Sequence, residues 1–232
     1  MRMTNAHRLP AGERRQAIVQ AVKKVFAAKG FDGATTRELA EAAGVSEALL
    51  YKHFPSKESL YEAMRDDCVM DPALNKFWRV MELDPSTSTL VLLVHAMAQK
   101  MILDFGKAKA ADDLIPVLAL RSLLDDGIFV RIMTEHFTSS WLPKFEACAK
   151  AARAAGDLEA GGVRAALAGL FLHNLTVMMM FNALPAKPVM DYGVAPRELV
   201  SQVVLFTLRG LGLKERAIAR HYNPKALALL AG

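Results

Sequence analysis

Tyr51, Lys52, His53 and Lys57 place a phenolic hydroxyl, two ammonium groups and an imidazole within one short stretch of the chain. Each can donate to a phosphate oxygen, and such contacts set register and orientation on a duplex without reading its sequence. Just upstream, Ser46, Glu47, Ala48 and Leu49 offer the complementary chemistry for base edges. A serine hydroxyl bonds several bases, alanine and leucine touch a thymine methyl, and a glutamate accepts from a cytosine amino group. Glu47 has a second reading, as an acidic first-turn residue that suits the helix macrodipole. Thr36 and Arg37 add a hydroxyl and a guanidinium a little earlier in the chain.

Local signals say what must hold these groups. Thr35 is an N-cap and Glu38 completes a capping box, so a helix begins there. Leu39, Ala40 and Ala43 share a face, and Gly44 supplies the left-handed residue that ends the helix after about two turns. Val45 fills the turn. Ser46 caps a second helix, whose Leu50 and Phe54 point into a small core while Ala48 and Lys52 face outward. Pro55 ends it and Ser56 caps a third. Lys57 then sits in a first turn where the dipole disfavours a cation. Two readings are open: a solvated lysine, or a lysine that joins the helix end in holding an anion.

The run before Gly30-Phe31, then Thr35-Thr36, Glu38-Leu39-Ala40, Ala43-Gly44-Val45-Ser46, Leu50-Tyr51, His53-Phe54 and Lys57 follow a known spacing. With these motifs, residues 13–64 resemble the DNA-binding domain of the TetR (tetracycline repressor-like) family of bacterial transcription regulators. The resemblance implies DNA contacts at Thr36, Ser46, Ala48, Tyr51, His53 and Lys57. Arg37, Glu47, Leu49 and Lys52 rest on side-chain chemistry alone. The resemblance also implies a homodimer on a double-stranded palindromic operator, and a repressor released by a small apolar or amphipathic effector.

The remaining periodicity is helical, with no alternating run bounded by hairpin signals. Helices are expected over Glu13–Lys29, from Lys57 to a break at Asp71-Pro72, and over Thr87–Phe105, Asp112–Leu124, Ile128–Ala155, Val163–Leu184 and Pro196–Leu211. The expected fold is all-α: a three-helix helix-turn-helix domain over residues 1–60, then a larger ligand-binding and dimerisation domain over 61–232. The segments at about 163–184 and 196–211 are apolar nearly all round and call for cover on most faces. The resemblance supplies it as a four-helix dimer interface. In the larger domain Met97, Met101, Phe105, Phe137, Trp141 and Met178 offer an adaptable apolar surface, with Arg121, His173 and Asn174 as polar anchors for the effector. The tail from Lys214 is unassigned: His221-Tyr222-Asn223-Pro224 interrupts it, with a last turn over Lys225–Leu230.

Composition bounds the alternatives. Hydrophobic residues make up 53% and charged residues 23% of the 232, as in a folded chain. The net charge of +5 lies wholly in residues 1–57, since acidic and basic residues balance in 58–232. Cys68 and Cys148 have no Cys/His neighbours at metal-ligand spacing, so neither zinc nor a disulfide is expected. No phosphate loop, dinucleotide fingerprint or nucleophile elbow is present, which argues against an enzyme and against a cofactor. The N-terminus lacks a signal-peptide core, pointing to the cytoplasm. Ala165–Ala186 carries no formal charge over a bilayer's length, yet His173, Asn174, Thr176 and Asn182 interrupt it, so no membrane span is expected. A membrane-associated helical adaptor is the principal rival, ahead of an all-helical enzyme.

Overall fold

The computed structural model describes residues 10–69, 79–105 and 114–231, and among them all regular structure is helical apart from one isolated antiparallel bridge, Leu158 to Leu213. In chain order the helices are α1 (Ala11–Gly33), α2 (Thr36–Ala42), α3 (Glu47–His53), α4 (Lys57–Val69), α5 (Thr87–Gln99), α6 (Ile115–Leu124), α7 (Ile128–His136), α8 (Leu142–Ala154), α9 (Ala165–Ala183), α10 (Pro196–Leu211), α11 (Glu215–His221) and α12 (Pro224–Ala231). The expected break at Asp71-Pro72 lies outside the described residues. Two compact units result, one from residues 1–70 and 117–129, the other from 71–116 and 130–232. The first unit is thus larger than residues 1–60 and includes most of α6.

In the first unit α1 supplies Ile18, Val22 and Phe26, α2 Leu39, α3 Leu50, and α4 Leu60 and Met64, all buried. Phe54, just after α3, is buried with them. Gly30 interrupts α1 with φ 71°, ψ −178°, where the sequence placed its end. Asp67 of α4 accepts from Gln16 and Gln20 and pairs with Lys23 at 2.6 Å, so one carboxylate ties α4 to a face of α1.

In the second unit the central element is α5, buried from Thr89 to Gln99 and packed on α8, α10, α11 and α12. The helix expected over Thr87–Phe105 changes character at Lys100, where a π-helical turn runs to Asp104. A second π-turn, Phe137–Trp141, joins α7 to α8 where one continuous helix was expected. Such turns admit one extra residue and recur at functional sites. The tail also differs from expectation, since it folds as α11 and α12. Lys214 Nζ donates to Gly156 O at 2.7 Å and Ser88 Oγ meets His221 Nδ1 at 2.9 Å, while Leu227 is buried.

Candidate nucleic-acid interface and effector site

The turn between α2 and α3 is built almost wholly from backbone. Val45 N–H donates to Ala40 O and Gly44 N–H to Glu41 O, both at 3.0 Å, the paired bonds of a Schellman motif. Gly44 takes φ 64°, a value that would strain any residue with a Cβ. On either side the caps are side chains. Thr35 accepts from Glu38 N–H, Glu38 accepts from Thr35 N–H, and Ser46 Oγ accepts from Leu49 N–H at 3.2 Å. Lys29 also donates to Glu38, and these bonds hold its carboxyl down to about 2, so the capping box stays ionised well into acid.

This scaffold leaves Ser46, Glu47, Ala48, Tyr51 and Lys52 exposed, with Leu49 and His53 half-buried. Tyr51, 46% exposed, has its hydroxyl 3.3 Å from Thr36 Oγ1, so the start of α2 and the middle of α3 present one polar surface. Arg37 pairs with Glu41 at 3.2 Å along the exposed side of α2. Lys57 has internal partners that neither sequence reading anticipated. Its ammonium donates to Ala34 O at 3.0 Å and lies 4.4 Å from the Phe31 ring centroid. The carbonyl and the ring face offset the charge that opposes the dipole, and the ammonium keeps two further donors. Arg15 was missed altogether. It lies 4.6 Å over the Phe54 ring at the end of α3, a pairing between distant positions that no spacing rule reports.

The effector candidates do not converge on one site. Phe137, Trp141 and His173 come together: Phe137 stacks on Trp141 at 5.0 Å and on His173 at 4.2 Å. Met101 packs beside Phe105 against Met180 of α9, while Met97 is buried in the main core of the unit. Arg121 belongs to the first unit, where it pairs with Asp125 at 3.6 Å. Asn174 and Met178 are exposed and share an outward face of α9 with Phe171, Met178 and Phe171 being 57% and 56% exposed. Lys100, not singled out from sequence, pairs with Asp104 at 3.6 Å and lies 5.0 Å from the Phe105 ring centroid.

Burial lowers the pKa of His173 to about 4. The folded value lies below the 6.5 of an unperturbed histidine, so protonation favours the unfolded chain. Its stabilising share is whole above pH 6.5 and is lost as pH falls towards 4. The ring stays partly open to solvent, so the expected loss is discounted to about 1–2 kcal/mol. Denaturant titrations at pH 7 and pH 4, run on wild type and on His173→Phe, check this. The acid loss is expected to be smaller in the variant by that amount.

Residues 18–64 match the model of bacterial regulatory proteins of the tetR family. The chain is 45% identical over 58 residues to the HTH-type transcriptional activator FasR of Mycolicibacterium smegmatis, covering 25% of this chain and 26% of that protein. It is 30% identical over 126 residues to the HTH-type transcriptional repressor AcnR of Corynebacterium glutamicum, covering 51% and 63%. The matched part is therefore less than two thirds of each relative. A bacterial regulatory protein of the tetR family from Rhodococcus RHA1 has the same fold, with TM-score 0.59 and 22% identity over 88% of this chain and 99% of that one.

Proposed function

We propose that this chain, whose residues 18–64 match the model of bacterial regulatory proteins of the tetR family, is a DNA-binding transcriptional repressor released from its operator by a small molecule. One observation carries the reading. Helix α3 is fixed to its scaffold by buried Leu50, by the Ser46 cap and by the Tyr51–Thr36 contact, yet the exposed Glu47 and Ala48 at its start take no part in holding it. A helix held this way presents its N-terminal side chains to a major groove. Thr36, Tyr51, His53 and Lys57 hold phosphates, with Arg37 and Lys52 beside them, and Ser46, Glu47, Ala48 and Leu49 face the bases.

The partner in this reading is a second copy. α9 buries Ala168, Leu172, Thr176 and Met180 within the chain and leaves Phe171 and Met178 open, and α10 leaves Phe206 70% exposed. Covering these apolar faces with the same faces of another chain forms a four-helix interface, and a two-fold dimer reads a palindrome. An effector in the second unit then favours a dimer geometry whose recognition helices no longer match successive grooves, and affinity falls. AcnR, matched over the longer stretch, is named a repressor, which supports that sign of regulation. A protein acting on chromosomal DNA in this way works in the cytoplasm, without cofactor, metal or catalysis.

Selection of bound genomic fragments, followed by footprinting with and without a metabolite extract, tests the whole reading. Two protected half-sites about 34 Å apart, centre to centre, are expected, released by the extract. α9 is long and apolar enough to cross a membrane by length and composition. Partition of the chain into vesicles, with DNA binding indifferent to palindromes, would favour the adaptor instead. Lys57→Gln is expected to weaken binding at every sequence and to reduce the slope of log K against log salt by about one. Tyr51→Phe should weaken it with the slope unchanged. A loss confined to one operator would remove both residues from the phosphate contacts.

A further inference from the structure

Four rings in the second unit form one continuous stack. His173, Phe137, Trp141 and Phe145 follow one another at centroid spacings of 4.2, 5.0 and 5.0 Å, with interplanar angles of 27°, 22° and 20°. Aromatic pairs adopt offset-stacked or edge-to-face arrangements, and here every step is of the stacked kind. The result is a set of near-parallel flat faces rather than a mixed cluster. Within it one polar atom is left idle. Trp141 is fully buried, and its Nε1 has no hydrogen-bond partner among the described residues. An indole N–H can only donate, and when buried it ordinarily finds an acceptor.

Two more features bear on what would complete the stack. Phe137 and Trp141 are the first and last residues of the second π-turn, a feature that recurs at functional sites. At the end of the stack His173 remains partly open to solvent, and burial keeps its imidazole neutral at physiological pH. A charged ligand would gain no counter-ion from these four rings and would lose its hydration, whereas a neutral one loses little. An aliphatic chain would fill space here but would leave the indole donor unpaired.

We propose that this stack recognises a flat, uncharged aromatic effector bearing a hydrogen-bond acceptor, such as an aryl ketone, which packs parallel to the rings and accepts from Trp141 Nε1. The proposal rests on reading the second unit as the effector-binding unit. It makes the effector a product of aromatic metabolism or an aromatic xenobiotic.

The full-length protein is titrated calorimetrically with 9-fluorenone, with fluorene, which has the same tricyclic shape without the carbonyl, and with 2-decanone, which has the carbonyl without the rings. In parallel the indole N–H resonances of the two tryptophans are followed by 1H–15N correlation, with Trp141→Phe assigning them. Fluorenone is expected to bind about five to ten times more tightly than fluorene, as one hydrogen bond supplies, and to shift the Trp141 indole signal. Decanone binds more weakly than either. Trp141→Phe keeps a ring in the stack and should level the two tricyclic affinities. Equal affinities in the wild-type protein, an unmoved Trp141 signal, or no binding of fluorenone would overturn the proposal. Genomic fragment selection on the same preparation separates the two claims. DNA selected without fluorenone binding removes the ligand class alone, whereas no DNA selected removes the regulator reading whatever fluorenone does.

Discussion

Gly162→Ala is expected to lower the unfolding free energy by about 3–5 kcal/mol, the largest single-residue loss in stability anticipated for this chain. A Cβ at Gly162 would stand 2.2 Å from Leu211 O, 2.6 Å from Leu211 C and 3.0 Å from Gly212 N, all backbone atoms. Side chains can turn away from such an intrusion; this backbone cannot retreat without losing bonds. Val163 N–H donates to Gly210 O and Glu159 N–H to Gly212 O, both at 2.9 Å, on either side of the contact. Lys214 N–H donates to Asp157 O at 2.9 Å just beyond. The loop before α9 and the end of α10 are thus laced together at a point where a side chain does not fit. Urea denaturation of the two proteins measures the loss, and a change below about 1 kcal/mol would mean that the loop yields.

The largest functional effect is expected from Ala48→Glu. Ala48 is exposed on α3, and the cap bond from Leu49 N–H to Ser46 Oγ does not involve it. Folding stability should therefore stay within about 0.5 kcal/mol of wild type. Operator affinity should not. A second carboxylate beside Glu47 would face a polyanion across a closely packed interface, and a loss of 100-fold or more, about 3 kcal/mol, is expected. Ala48→Ser, which adds a donor without charge, is expected to change which operator is preferred rather than to abolish binding. Unchanged affinity in the glutamate variant, measured by fluorescence anisotropy on the selected operator, would mean that α3 does not enter the groove.

What was legible in the sequence is what depends on neighbours in the chain. The caps at Thr35, Ser46 and Ser56 act over three residues, and all three form: Ser59 N–H donates to Ser56 Oγ at 3.1 Å, and the other two are as described above. Gly30 and Gly44 interrupt helices where they were expected to, because a positive φ is a local demand. The π-turns were not legible. One extra residue per turn leaves the apolar pattern on either side intact, and Phe137, Trp141 and Phe145 read as one helical stripe in α or in mixed geometry. α12 escapes sequence reading for a different reason. Asn223-Pro224 reads as an interruption, although Asn223 Oδ1 accepts from Lys225 N–H at 3.1 Å and Ala226 N–H at 3.2 Å, making the pair an N-cap with proline at the first helical position.

Among the site residues, chemistry could be read but company could not. Lys57 and Tyr51 were recognised as phosphate-binding types, whereas the Ala34 carbonyl, the Phe31 ring and the Thr36 hydroxyl that orient them come from other elements. Met178 and Asn174 have the composition of pocket residues and lie on the open side of α9. Helical phase relative to the core, which is a tertiary fact, decided that.

The Schellman turn and the Ser46 cap have a consequence for how such a protein can change. The angle between α2 and α3 is set by main-chain bonds at Gly44 and Val45, and α3 is held through Leu50 and Phe54. Glu47 and Ala48 contribute to neither, and Leu49 contributes its amide rather than its side chain to the cap. The positions proposed to read sequence are therefore interchangeable parts on a fixed mount. A library randomised at Glu47, Ala48 and Leu49 should stay folded almost throughout and yield variants with altered operators, and lineages carrying this mount can drift from one promoter to another without passing through an unstable intermediate.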